Sequence, residues 1–409
     1  MKRTSYNKSQ MKVVLLEGIH PNAKNMFEAD GYTHVECYEK ALPPEQLATV
    51  LKNARFIGIR SRTQLTEQIL EAAPNLLAIG CFCIGTNQVD LEAAEKRGVP
   101  VFNAPFANTR SVAELVVAEM VMLMRGIPEK NAAAHRHQWL KSAANAYEVR
   151  GKTVAIIGYG HIGSQVGVLA EALGMRVRFF DIANKLALGN AVRCQSFEEA
   201  VNGAEIVTFH VPATPETRHM VNAETLAMMK PGVAIINASR GHVIDVAALV
   251  DALKSGHVRG AAIDVFPKEP TSNQEPFESP LCEFDNVLLT PHIGGSTQEA
   301  QANIGIEVAE KLIAYSNTGT TTGAVNFPQV GLPQQENAFR ILHIHHNQPG
   351  VLSQINELFS KRDINIVGQY LQTSKHIGYV VTDIDRQSDE SILHDLKAVP
   401  GTIRARILY

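Results

Sequence analysis

Short runs of Val, Ile, Leu and Ala alternate with helix-length amphipathic stretches over the first ~315 residues. The runs are Val13–Leu16, Phe56–Arg60, Leu76–Gly80 and Val99–Asn103, then Val154–Gly158, Val177–Asp181, Ile206–Val211, Val233–Ala238, Ala261–Phe266 and Val287–Thr290. Strands that are apolar throughout and separated by helices predict parallel sheets covered on both faces. There are too many for one compact sheet, so the α/β region divides, first near Pro105–Asn108. Ser111–Arg125 and Ser296–Tyr315 read as long buried helices. After them, SNTGTTTGAVNFPQVGLPQQEN has the Gly, Pro, Asn and Thr density of a linker. The pattern then changes. FRILHIHH alternates as a strand, Pro349–Lys361 reads as a helix, Ile364–Ser374 and Gly378–Asp385 as two strands, Ser388–Ala398 as a helix and Thr402–Tyr409 as a last strand. That order, βαββαβ, is the split-βαβ unit of ferredoxin-like modules.

One strand, Lys152–Ile157, runs directly into Gly158-Tyr159-Gly160-His161-Ile162-Gly163 and then a helix, Ser164–Leu173. Glycine turns are common, but here the next strand, Val177–Phe180, ends in Asp181 about 20 residues on, the position of a ribose-binding carboxylate. Gly158 permits the turn, Gly160 the approach of a pyrophosphate and Gly163 close helix–strand packing. Asp181 would repel a 2′-phosphate and no Arg follows it, which favours NAD over NADP.

Three later segments put polar groups at the carboxyl ends of strands, where open α/β sheets bind ligands. In Asn237-Ala238-Ser239-Arg240-Gly241 the guanidinium can clamp a carboxylate bidentately. Asp264 and Glu269 lie in AIDVFPKEP, and His292 in Thr290-Pro291-His292-Ile293-Gly294-Gly295-Ser296. A 2-hydroxy acid needs a base for its hydroxyl proton, a cation for its carboxylate and NAD for its hydride; a histidine tuned by a carboxylate is such a base. Arg60-Ser61-Arg62 follows a strand, and alternate residues of an extended stretch can face one anion together.

Composition narrows the classes. The 409 residues suit two to four domains at ~100–200 residues each. The net charge of -3 leaves no basic field for nucleic acid or an anionic membrane. No apolar run nears the ~20 residues of a membrane helix, and the polar amino terminus leads straight into a strand, so no secretory signal is expected. Cys37, Cys81, Cys83, Cys194 and Cys282 are scattered without CxxC, which argues for a reducing cytoplasm and against disulfides or zinc. His135 with His137, and His343 with His345 and His346, crowd together without a completing Cys or carboxylate, so no metal site is expected.

With these residues in view the chain resembles the D-isomer-specific 2-hydroxyacid dehydrogenases, over essentially its whole length. Gly158–Gly163, Asn237–Gly241, Ala262–Pro270 and Pro291–Ser296 match in order and spacing. Phe56–Thr63 and Gly80–Asn87 match the members with a phosphorylated substrate and a C-terminal ACT domain. The resemblance implies an α/β fold: a Rossmann-like NAD domain (108–295) inserted in a flavodoxin-like substrate domain (1–107 and 296–330), plus a ferredoxin-like ACT regulatory domain (338–409). It implies catalysis by Arg240, Glu269 and His292, with Ala238, Ser239, Arg240, Asp264, His292, Ile293, Gly294 and Gly295 joining Gly158, Gly160, His161, Ile162, Gly163 and Asp181 around NAD. Arg60, Ser61, Arg62, Asn108 and Lys141 would hold the substrate, and Trp139 would anchor an interface. The implied reaction is oxidation of 3-phospho-D-glycerate to 3-phosphooxypyruvate, with reduction of 2-oxoglutarate as a side activity and a homotetramer as the assembly. Another hydroxy acid as substrate, or an NAD(H)-sensing corepressor-like protein, are the alternatives. L-serine would bind at His345, Asn347 and Asn365 where two ACT domains pair. Gln335-Glu336-Asn337 stands where close relatives carry Gly-Gly, which bears on how a signal passes the linker.

Overall fold

The computed structural model describes residues 7–270, 274–335, 338–385 and 390–408. It divides into two compact units, Met1–Ala107 with Gln301–Tyr409, and Asn108–Ala300. The first unit opens with five parallel strands, β1 (Lys12–Leu15), β2 (His34–Cys37), β3 (Ala54–Ile59), β4 (Ala78–Cys81) and β5 (Val101–Asn103), in the order β2-β1-β3-β4-β5. This is the flavodoxin-like order. The central strands are buried nearly throughout, as continuous apolar runs require.

The second unit carries seven parallel strands: β6 (Thr153–Ile157), β7 (Arg176–Phe180), β8 (Val192–Arg193), β9 (Ile206–Phe209), β10 (Val233–Asn237), β11 (Val258–Ile263) and β12 (Val287–Leu289). Their order, β12-β11-β10-β9-β6-β7-β8, reverses between β6 and β9, the switch point where a doubly wound sheet binds its ligand. The helix Thr109–Arg125 buries Val112, Val116, Met120 and Leu123 against this sheet. It stops at Gly126, whose φ of 61° gives the left-handed cap, and the next helix, Ile127–His135, carries Pro128 in its first turn. The sequence pattern missed β2 and β8. Both are short, partly exposed edge strands, so neither shows the apolar run that marks a central one.

The C-terminal module is antiparallel: β13 (Phe339–His346), β14 (Ile366–Thr373), β15 (Ile377–Ile384) and β16 (Thr402–Ile407), ordered β14-β15-β13-β16, the ferredoxin-like arrangement. The helices Val351–Lys361 and Glu390–Ala398 cover one face with Ile341, Ile355, Phe359 and Ile384. The other face is not free. Leu342, Ile344, Tyr379 and Val381 join one core with Phe102, Val308, Leu312 and Tyr315 of the flavodoxin-like part, which is why every position of β15 is buried. Arg340 and Asp383, each 1% exposed, form a bidentate pair at 2.7 Å, and Arg340 also donates to the Thr318 and Pro333 carbonyls. Spending its donors this way offsets the desolvation that makes an unsatisfied buried ion costly. The module thus falls within the same compact unit as the flavodoxin-like part. Of Gln335-Glu336-Asn337, the last two lie outside the described residues.

Candidate active site

The dinucleotide loop is built by close approach. Gly158 has φ 90°, and a Cβ on it would lie 2.4 Å from the His210 carbonyl oxygen. One on Gly163 would meet the Gly158 carbonyl at 2.0 Å, whereas one on Gly160 would meet nothing within 4 Å. Two glycines are therefore needed for packing inside the loop, and the third faces open space. The helix His161–Ala172 begins there without a side-chain cap, and by helix geometry its first N–H groups, at His161, Ile162 and Gly163, point out of that end, the direction from which an anion would be received. Asp181 stands just past β7. Its two oxygens accept from the Tyr159 and Ala183 N–H groups, each at 2.8 Å, which fixes the carboxylate beside the loop with lone pairs to spare. An open cradle for a pyrophosphate beside a fixed ribose-type carboxylate fits NAD.

At the carboxyl end of β10, Asn237 is 1% exposed and organises the arginine loop. Its Oδ1 accepts from the Ser239 N–H (3.1 Å) and hydroxyl (2.7 Å), and its Nδ2 donates to the Arg240 carbonyl (3.0 Å). Ala238 follows β10 directly, and the Arg240 guanidinium donates to the Ser239 carbonyl. A Cβ on Gly241 would fall 2.0 Å from the Phe266 backbone, so the arginine loop lies against the loop that carries Glu269. Asp264, 2% exposed, accepts from the Thr290 hydroxyl and from the Ile293 and Gly294 N–H groups at 2.6–2.8 Å. Its carboxylate thereby ties down the turn bearing His292. Gly295 completes that turn against Asn108, whose Nδ2 a Cβ would meet at 2.3 Å.

His292 itself has φ 54°, unusual for a side-chain-bearing residue. Its Nδ1 lies 2.9 Å from Glu269 Oε2, and Glu269 Oε1 accepts from the Phe266 N–H. Both side chains are part exposed, at 51% and 36%. The bond from Glu269 raises the His292 pKa above its ordinary value; burial opposes, the charges of Glu269 and Asp264 add to the rise, and Arg240 works against it. Burial acts to raise the Glu269 pKa, but the bonds from His292 and Phe266 and the neighbouring cations leave it below the usual carboxylate range. With Nδ1 committed to the carboxylate, Nε2 is the atom left to exchange a proton. The second unit brings together Arg240, Glu269 and His292, with the dinucleotide loop on the same sheet.

The other expected residues belong to both units. Lys141 and Trp139 sit on an exposed loop, Trp139 at 87% exposure. Asn108 is buried with its Oδ1 unpartnered. Arg60, Ser61 and Arg62 lie in the first unit, where the pattern missed an organiser. The Glu17 carboxylate, 8% exposed, accepts from the N–H groups of Arg60, Arg62 and Thr63 at 2.9–3.1 Å, and Gln88 donates to the Arg60 carbonyl. A second miss is Glu119, buried on the helix Thr109–Arg125 with both carboxyl oxygens unpartnered; burial, helped by Asp264, pushes its pKa to about 8. Nothing in an apolar helical stretch marks it beyond one charged letter at a buried position.

In the C-terminal module, His345 and Asn347 flank the end of β13 that pairs with the start of β15. Asn365 precedes Ile366, which pairs with the far end of β15 at Ile384. One chain therefore does not assemble the three effector residues. Among the described residues no three His, Cys, Asp or Glu group to hold a metal ion, and no helix is long and apolar enough to cross a membrane.

Residues 117–294 match the family model for the D-isomer specific 2-hydroxyacid dehydrogenase NAD binding domain, and 341–404 match an AHAS small subunit-like ACT domain. The chain is 58% identical to D-3-phosphoglycerate dehydrogenase of Escherichia coli across all of both chains, and 55% identical to that of Haemophilus influenzae across all of this chain and 99% of the other. Among solved structures it is similar to the TT0316 protein of Thermus thermophilus (31% identity, TM-score 0.66, 74% of this chain and 96% of that one). It is similar too to a D-lactate dehydrogenase of Aquifex aeolicus complexed with NAD and lactic acid (27% identity, TM-score 0.64, 74% and 95%).

Proposed function

The chain belongs to the D-isomer-specific 2-hydroxyacid dehydrogenase family and uses NAD, and from that premise we propose that it oxidises 3-phospho-D-glycerate to 3-phosphooxypyruvate, the step that commits carbon to L-serine. The observation that carries the reading is the His292–Glu269 contact at 2.9 Å beside Arg240 on a sheet with an open dinucleotide loop. Bound NAD supplies the acceptor for the substrate's hydride. His292 Nε2 takes the hydroxyl proton, Glu269 holds the ring by Nδ1 and steadies the imidazolium, and Arg240 receives the substrate carboxylate and polarises the carbonyl. Asn237 and Asp264 position the two loops. Arg60 and Arg62, braced by Glu17, meet the phosphate together with Ser61; Asn108 and Lys141 complete the substrate contacts. Run in reverse, the same residues reduce other 2-oxo acids, 2-oxoglutarate among them.

L-serine inhibits through the C-terminal module. The separation of Asn347 from Asn365 across the sheet favours a site shared by two copies, each giving one end, and exposed Trp139 favours a further self-association contact, in a tetramer. Five free cysteines agree with a cytoplasmic enzyme. Mixing the protein with phosphooxypyruvate and NADH and following the nicotinamide absorbance tests the reaction. Oxidation of NADH is the expected result; binding of NADH without turnover would mark an NAD(H)-sensing protein instead.

A further inference from the structure

On the helix-covered face of the C-terminal sheet, His343 and His345 stand two residues apart on β13 with their Nδ1 atoms 3.3 Å apart. The inner ring has its other nitrogen fully committed. His343 Nε2 lies 2.9 Å from the Thr402 hydroxyl and 3.3 Å from the Leu396 carbonyl. A carbonyl only accepts. The Thr402 hydroxyl has one proton, and it lies 2.7 Å from the Val399 carbonyl, so toward His343 it also accepts. Nε2 of His343 must therefore carry the hydrogen. Burial pushes the His343 pKa to about 4, and burial likewise lowers that of His345, so both rings are neutral near pH 7. A neutral ring with Nε2–H has a bare Nδ1, and the Nδ1···Nδ1 contact then requires His345 to donate. That leaves His345 Nε2 without a hydrogen. It lies over Gly378, where a Cβ would come within 2.3 Å of it. The cross-strand partner of His345 is thus a residue with no side chain, and the ring, on a residue only 3% exposed, packs close against the backbone of that strand.

We propose that His343 is a positioning residue that locks the tautomer of His345, so that Nε2 of His345 is a hydrogen-bond acceptor that receives a donor group of the effector, its ammonium or hydroxyl, and turns away its carboxylate. The effector half of this statement rests on the serine reading above; the tautomer half does not. The chain of bonds runs from the Leu396 and Thr402 oxygens through both rings to the edge above Gly378.

The test uses the full-length protein labelled with 13C,15N-histidine. Magic-angle-spinning NMR reads which nitrogen of each ring is protonated, with His345 assigned by subtraction in His345→Gln. The expected wild-type spectrum has His345 protonated at Nδ1 and His343 at Nε2. His343→Phe keeps an aromatic ring but removes the acceptor. It should release His345 to the other tautomer and raise the L-serine concentration for half-inhibition roughly 2–10-fold, the net worth of one hydrogen bond, with turnover unchanged. His343→Asn returns an acceptor oxygen near the Nδ1 position and should restore both readouts. Protonation of His345 at Nε2 in the wild type overturns the proposal without recourse to any variant. So does an unchanged tautomer and serine response in His343→Phe. If the wild type shows the expected tautomers but serine does not inhibit it, the lock stands and only the effector reading falls.

Discussion

The loop after β12 and the outer end of β13 each carry a histidine, and their surroundings push it in opposite directions. His292 is half exposed, bonded through Nδ1 to a carboxylate, and its pKa is raised. His343 and His345 are buried and bonded to each other, His343 also to oxygens without charge, and their pKa values are lowered. The side chain is the same; the partner and the access of water decide its use. A carboxylate at one nitrogen and solvent at the other make a group that exchanges protons near neutrality. Neutral partners shielded from water make one whose hydrogens stay where the network puts them, which suits recognition.

The comparison breaks most visibly at His292. His292→Ala should lose about 10²–10⁴-fold in kcat while still binding NADH, the span of positioned acid–base catalysis. Near-normal turnover in that variant, read from nicotinamide absorbance, would remove the assignment. Removing the other histidine should leave turnover alone. The double variant His345→Ala/Asn347→Ala should keep catalysis and become insensitive to L-serine, against a coupling of roughly 5–150-fold in the wild type. Equal inhibition of both proteins would contradict it.

Glu269→Gln moves His292 toward the condition of the buried pair. The carboxylate raises the His292 pKa, so its loss should lower it, and the acidic limb of the pH–rate profile for 3-phosphoglycerate oxidation should shift to lower pH because neutral His292 is the base. A limb that stays in place would show that another group sets it. Glu119 supplies the remaining arrangement, a buried carboxyl with no partner. Its folded pKa of about 8 lies above that of an exposed carboxylate, so the native state holds the proton more tightly. Its contribution to stability is full below the ordinary carboxylate pKa and is lost as pH rises toward 8. Glu119→Gln removes that loss. Its Tm should exceed the wild type's by a few degrees at about pH 8 and by less at about pH 5, measured by differential scanning calorimetry. A gap that narrows with rising pH would mean that Glu119 is ionised in the native protein.

Much of the architecture is legible in the sequence because central parallel strands must be apolar along their whole length. Each of the ten runs read from the pattern overlaps a strand in the structure, while the exposed edge strands β2 and β8 left no such trace. The glycine loop, Asp181, Arg240, Glu269 and His292 were legible for a related reason: each follows directly on such a strand, so a short local pattern locates it. What holds them was not. Glu17 braces the Arg60 loop across 43 or more positions of sequence, Asp264 ties the histidine turn from 26–30 positions away, and Thr402 fixes His343 from 59 positions away. Periodicity reports which face of one element is buried, and says nothing of which distant element covers it. Nor could it show that Leu342, Ile344 and Tyr379 bury the second face of the C-terminal sheet in the core of the flavodoxin-like part. The sequence by itself determined the strand order's raw material and the reactive side chains; hydrogen-bond partnership and the covering of each face were decided only when the chain closed on itself, because both depend on residues that are neighbours in space alone.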